Sequence, residues 1–120
     1  MIRNTGRTLT LTGASGKNYL FNLLAFDDFN DLRGYFDVIS GLYVFGVLDE
    51  TGFFTYVYFG KAENLSNRFY VHHKEDCIRA HRANCIGICC LNEFRNSEIL
   101  ERAEKDVLSA IKFPCNEVNN

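Results

Sequence analysis

Residues 42–48 read Leu-Tyr-Val-Phe-Gly-Val-Leu, apolar at every position. A strand with two apolar faces must be covered on both sides, so this segment predicts the centre of a layered fold. Asp49-Glu50-Thr51-Gly52 follows as a turn, and residues 53–59 supply a partner strand. A period of two places Phe54, Tyr56 and Tyr58 of that partner on one face.

The surrounding segments supply the other layers. Residues 7–12 alternate Thr and Leu after Arg7, the pattern of a half-buried strand, and residues 19–25 read as its return. The link between them, Gly13-Ala14-Ser15-Gly16-Lys17, resembles a phosphate-binding loop. It is one residue too short between its glycines, and Asn18 stands where Ser or Thr belongs, so a hairpin turn is expected. Asn64 suits a helix N-cap. From it Leu65, Arg68, Phe69 and His72 follow at i, i+3, i+4 and i+7 on a helix over 64–74. A second short helix is expected around 76–83 and a third strand over 85–91. Asn96 or Ser97 caps a last helix over 97–111, apolar at Ile99, Leu100, Ala103, Val107, Leu108 and Ile111, with Phe113-Pro114 as its stop.

Composition narrows the class. At 120 residues, 47% hydrophobic and 23% charged, the chain is expected to be one soluble domain. No apolar run is long enough for a membrane span, and the polar start is no signal peptide, so a cytoplasmic location and no membrane partner are expected. Five cysteines without scaffold spacing predict reduced thiols. A net charge of −2 excludes an indiscriminate nucleic-acid binder. The stretch 61–82 is nevertheless locally basic, with Lys61, Arg68, Lys74, Arg79 and Arg82 beside three histidines. A zinc site of His72 or His73 with Cys77, Cys85, Cys89 or Cys90 is a secondary reading, opposed by the lack of paired Cys-x-x-Cys spacing.

Glu104 stands inside the apolar stripe of the last helix. A carboxylate there needs an ion pair, hydrogen bonds or a cation. One such carboxylate with waters and substrate oxygens suits Mg²⁺, and the alternative is a structural ion pair with Arg68. Arg68 has the fork geometry for a phosphate. Tyr43 is a proton acceptor only if its phenol is acidified, here by Arg68 and a metal. His72 either shares that role or orients Tyr43.

Taken in order, Gly41-Leu42-Tyr43, Tyr58-Phe59-Gly60, Arg68, His72, Glu104, Pro114 and Asn116 resemble the GIY-YIG nuclease family over about residues 40–118. The extended motif Tyr-x-Gly-x-x-x-x-Leu-x-x-Arg is matched by the run from Tyr58 through Leu65 to Arg68. Leu42 and Phe59 replace isoleucines of the family's tripeptides, apolar changes that leave the chemistry untouched. The resemblance implies an α+β fold, a small antiparallel three-stranded sheet flanked by helices, here with an N-terminal β-hairpin extension. Residues 1–38 would be that extension, packed on a core of 39–120. The core strands would be 42–48, 54–59 and 85–91, in that order.

The same resemblance implies a divalent-metal-dependent endonuclease acting on DNA, of repair, restriction or mobile-element type. Tyr43 would be general base, assisted by Tyr58, with Arg68 on the phosphate, His72 nearby and Glu104 holding Mg²⁺ or Mn²⁺. Gly60, Lys61, His73, Lys74 and Asn116 would contact substrate. RNA is an open alternative substrate. Targeting would come from a protein partner, a homodimer or substrate shape. The competing reading is a non-catalytic nucleic-acid or protein interaction module on the same fold.

Overall fold

The computed structural model describes residues 1–117; residues 118–120, the end of the expected 39–120 unit, lie outside the described residues. Five strands, β1 (Arg3–Thr12), β2 (Asn18–Ala25), β3 (Gly41–Leu48), β4 (Phe54–Ala62) and β5 (Cys85–Cys89), form one sheet in the order β1-β2-β5-β3-β4. Every pairing is antiparallel. Among the described residues, three α-helices complete the fold: α1 (Leu65–Arg68), α2 (Glu75–Ala80) and α3 (Ser97–Ala110).

The expected hairpin of residues 42–48 and 54–59 forms as β3 and β4. β3 also pairs with β5, so the strand that is apolar on both faces does lie inside the sheet. β5 therefore lies against β3 and not beyond β4. The sheet has five strands where three were expected, because the front hairpin is no appendage. β2 pairs with β5 from Asn22↔Ile88 to Ala25↔Cys85 and continues the sheet.

The two faces bury separate cores. Leu42 and Val44 join Leu11, Phe21, Phe59, Phe94, Leu100 and Phe113 on the side of α3. Tyr43 and Phe45 join Phe26, Phe29, Phe69 and Ile78 on the side of α1 and α2. This alternation along β3 is the period-two rule at work. Residues from the first 38 positions stand in both clusters, so that segment is part of the core.

α3 matches its sequence signals. Asn96 caps it, its side chain accepting from the amides of Glu98 and Ile99 at 2.9 and 3.3 Å. The helix expected over 64–74 is instead the single turn of α1. Asn64 does cap it, accepting from Ser66 N at 3.0 Å. Ser66 and Asn67 within it, with Phe69, Tyr70 and Val71 beyond, are all mediocre helix formers, and the chain turns away after Arg68. The middle helix is likewise shorter than expected, ending at Ala80.

Cys77 and Cys115 form a disulfide across 38 positions, a correction to the expectation of five reduced thiols. Their separation in sequence conceals that the fold brings their Cα atoms to 5.8 Å. Cys85, Cys89 and Cys90 are free. Among the described residues no helix is long and apolar enough to cross a membrane.

Candidate functional site

The two tripeptides face each other across one hairpin. Tyr43 stands opposite Gly60 in the register of β3 and β4. A Cβ built on Gly60 would lie 2.7 Å from both Cζ and Oη of Tyr43 and 2.9 Å from Cε2 of Tyr58. Gly60 is thus a gap that the Tyr43 ring fills. Gly41 is equally constrained, since a Cβ there would come within 2.6 Å of Cys90 Sγ and 2.9 Å of the Cys89 carbonyl.

Tyr58 reaches this face through an irregularity. Phe45 pairs with Tyr58 but Gly46 pairs with Tyr56, leaving Val57 as an extra residue in β4. Such a bulge re-aims the side chains beyond it. Phe54 and Tyr56 accordingly pack with the α3 cluster while Tyr58 packs with Tyr43. The expectation that all three share a face fails at this one position. The two phenol rings lie 6.1 Å apart between centroids.

His72 enters by a turn and not along a helical stripe. Its ring stacks nearly parallel on Phe69 (6.2 Å, 7°) and on His73 (5.2 Å, 10°). Lys74 N–H donates to His72 Nδ1 at 3.1 Å. A backbone amide can only donate, so Nδ1 carries a lone pair and the neutral ring holds its hydrogen on Nε2. Nε2 lies 2.7 Å from Tyr43 Oη, so His72 donates and the phenol oxygen accepts. Burial, with Arg68 and His73 adding to it, pushes the imidazole pKa down to about 3. His72 therefore stays neutral at any ordinary pH.

Arg68 completes the cluster. Its guanidinium sits over the Tyr43 ring, 5.9 Å from the centroid. Burial nonetheless pushes the Tyr43 phenol well above its ordinary value, and the negative ends of Tyr58 and Glu104 push the same way, while Arg68 pulls it down. The expected acidified phenol is not present in the protein alone. Tyr58 is raised too, by burial first and Glu104 also, with Arg68 opposing.

Glu104 lies half-buried on α3, one turn from the buried Leu100. Burial raises its carboxyl above the usual range, and Lys61 and Arg68 draw it back. It makes no ion pair among the described residues. Arg68, Lys61 and Glu104 are thus half-exposed polar groups bordering a floor of Tyr43, Tyr58 and His72, each 5% exposed or less. Tyr43, Tyr58, Arg68 and His72 pack together, and Glu104 is near enough for its charge to act on both phenols. His73 joins them, exposed, with its ring 6.2 Å from that of Tyr58.

Two other expected substrate contacts face elsewhere or are covered. Asn116 accepts from Phe59 N–H at 2.8 Å and donates from Nδ2 to the Phe59 carbonyl at 2.9 Å. Cys115 N–H donates to Val57 O at 2.9 Å. β4 is a sheet edge, and this tail covers its open backbone groups. Asn116 thereby holds the strand that carries Tyr58 and Gly60. Lys74 is buried at the start of α2. A separate cleft of about 530 Å³, lined by Ser15, Lys17, Tyr19, Phe94, Arg102 and Asp106, includes none of the clustered residues. The glycine turn of residues 13–17 belongs there, where Asp106 binds Ser15 N and Oγ at 2.8 and 2.7 Å.

Three features go beyond the sequence expectations: a ring stack, a bulge and a ligand cluster. Phe69, expected on a helical stripe, supports His72 through its ring. Val57 sets the bulge, which no local pattern marks. His81 and Cys115 join Cys77, already a candidate zinc ligand by sequence, with ligand atoms within 4.8 Å of one another. The one-turn spacing of Cys77 and His81 was a usable signal, whereas Cys115 is distant in the chain. Compared with known protein families, with curated proteins and with solved structures, the chain matches none.

Proposed function

We propose that this chain is a divalent-metal-dependent endonuclease of the GIY-YIG type that hydrolyses DNA phosphodiester bonds. One observation carries the reading. Around the Tyr43 phenol, from separate segments of the chain, stand a second phenol, a guanidinium, a neutral imidazole and an unpaired half-buried carboxylate whose charge acts on it.

The site's chemistry fits a hard cation. Burial works against the charge on Glu104, and no ion pair among the described residues relieves it. A single carboxylate with water and phosphate oxygens is an ordinary Mg²⁺ or Mn²⁺ environment. Glu104 would hold such an ion, which would supply positive charge where the phosphodiester is cleaved.

The remaining work falls to the protein's own groups. Arg68 binds the phosphate as a two-pronged donor. Lys61 adds positive charge at the rim. Tyr43 would first release its own proton to solvent, a loss that Arg68 favours and burial opposes; the phenolate, held by a charge-assisted hydrogen bond from His72 Nε2–H, then takes the proton of the attacking water. Since that nitrogen holds a hydrogen, His72 acts on Tyr43 and not as the base. Tyr58 lines the same floor and orients water beside Tyr43. The products carry a 5′-phosphate and a 3′-hydroxyl.

A second reading has one observation in its favour. The Tyr43 phenol is fully buried and lifted well above its ordinary range, which suits a non-catalytic nucleic-acid or protein interaction module on the same fold. A panel of plasmid, duplex, branched, single-stranded DNA and RNA substrates, incubated with Mg²⁺, Mn²⁺ or chelator, separates the readings. Metal-dependent cleavage that disappears in Glu104→Gln supports the nuclease. Binding without cleavage on every substrate supports the module.

A further inference from the structure

Where the tail meets α2, three soft or borderline ligands come together. Cys77 and His81 lie one helical turn apart, and Cys115 comes from the tail. His81 Nδ1 is 3.7 Å from Cys77 Sγ and 3.6 Å from Cys115 Sγ. In a tetrahedral zinc site with ordinary Zn–S and Zn–N bonds, the sulfur-to-nitrogen edge is about 3.5 Å. Both edges to the imidazole already have that length. We propose that Cys77, His81 and Cys115, in the dithiol form, bind one Zn²⁺ ion.

This set differs from the zinc reading that the sequence suggested. His72 is held by Tyr43 and Lys74, and Cys85 and Cys89 are buried in the sheet. The new site also needs nothing from the nuclease reading. Thiolate and imidazole favour zinc over Mg²⁺, whereas Glu104 offers only a hard oxygen, so the two sites would not compete for one metal.

Reduction by a phosphine with water adds two electrons and two protons across the Cys77–Cys115 bond, giving two thiols and the phosphine oxide. Zinc then displaces both thiol protons, and the sulfurs move apart to about 3.7 Å. His81 Nδ1 also lies 3.0 Å from the Cys77 carbonyl. Ligation requires Nδ1 to present its lone pair, placing the ring hydrogen on Nε2. The carbonyl is not orphaned, because the backbone N–H of His81 donates to it at 3.1 Å. His81 is exposed, so the fourth corner opens to water. Bound there, zinc makes the same link between α2 and the tail that the disulfide makes. The tail in turn holds β4 through Asn116.

The test uses the full chain, reduced with a phosphine, stripped with chelator and desalted without air. Co²⁺ and then Zn²⁺ are titrated in. The expected result is one metal per chain, thiolate-to-cobalt charge transfer with tetrahedral ligand-field bands, and a higher Tm with zinc. His81→Ala should weaken binding about tenfold or more, and Cys115→Ser should remove the charge-transfer signal. A disulfide has no need of His81, so unchanged metal affinity in His81→Ala would overturn the proposal even if the cysteine variants fold poorly. Absence of bound metal in the reduced wild type, or loss of metal in Cys90→Ser instead, would overturn it as well.

Discussion

His72 donates from Nε2 to the phenolic oxygen of Tyr43 at 2.7 Å, and the amide of Lys74 fixes that direction by occupying Nδ1. The pair is one unit. The imidazole does not take the phenol's own hydrogen, which is directed to Tyr58; it stabilises the oxygen if that ionises, and its Nε2 has no lone pair to offer in its place.

Tyr43→Phe keeps the ring and its packing but leaves the buried His72 N–H facing carbon. The variant should lose about 1–3 kcal/mol of stability in denaturant titration. Its cleavage rate should fall by about 10²–10³. Wild-type rates across the pH range would show that the proton acceptor lies outside the Tyr43–His72 pair.

The neutral His72 makes stability depend on acid. Its pKa is about 3 in the fold and about 6.5 when unfolded, so between these values the unfolded chain binds a proton that the fold refuses. Stability from this residue is present above 6.5 and declines as pH falls toward 3. The slope approaches at most about 1.4 kcal/mol per pH unit. His72→Gln, measured by thermal melts from pH 7 to 4, should show a flatter decline than wild type. The raised carboxyl of Glu104 has the opposite sign, being stabilising when protonated, and is common to both proteins.

Glu104→Gln should separate stability from activity. Burial disfavours the charged carboxylate, so the neutral amide should raise Tm in metal-free buffer. Under the proposed function the same change abolishes metal-dependent cleavage. A lower Tm would instead mark Glu104 as a structural partner of Arg68 or Lys61.

Gly60→Ala places a methyl 2.7 Å from the end of the Tyr43 ring. That ring is fully buried, so relief requires moving it off His72. The expected loss is about 1–3 kcal/mol, as for overpacking elsewhere. The NMR signal of the His72 ring N–H should shift as its hydrogen bond to Tyr43 lengthens. An unmoved signal in a folded variant would contradict the assignment of that contact.

Asn116→Ala should act through β4 and not through substrate. Both hydrogen bonds to Phe59 disappear, and hydrogen exchange at the Phe59 amide should accelerate about tenfold or more. Exchange at β1, on the opposite edge of the sheet, should not change.

The sequence by itself determined the local elements whose signals are local. β3 is apolar on both faces and is interior; the turn of residues 49–52 joins it to β4; Asn96 caps α3. It also named Tyr43, Tyr58, Arg68, His72 and Glu104 as a group, because their order along the chain resembles a known motif. Tertiary structure decided what depends on distant partners. The pairing of β2 with β5 made a five-stranded sheet from an expected three. One extra residue in β4 turned Tyr58 toward Tyr43, an outcome that strict alternation forbids. His72 arrived by a turn because the residues after Arg68 do not sustain a helix, and the Lys74 amide then set its tautomer. Cys77 met Cys115 because an unpaired edge of β4 drew the tail across it, a contact between residues 38 apart in sequence that no local period encodes.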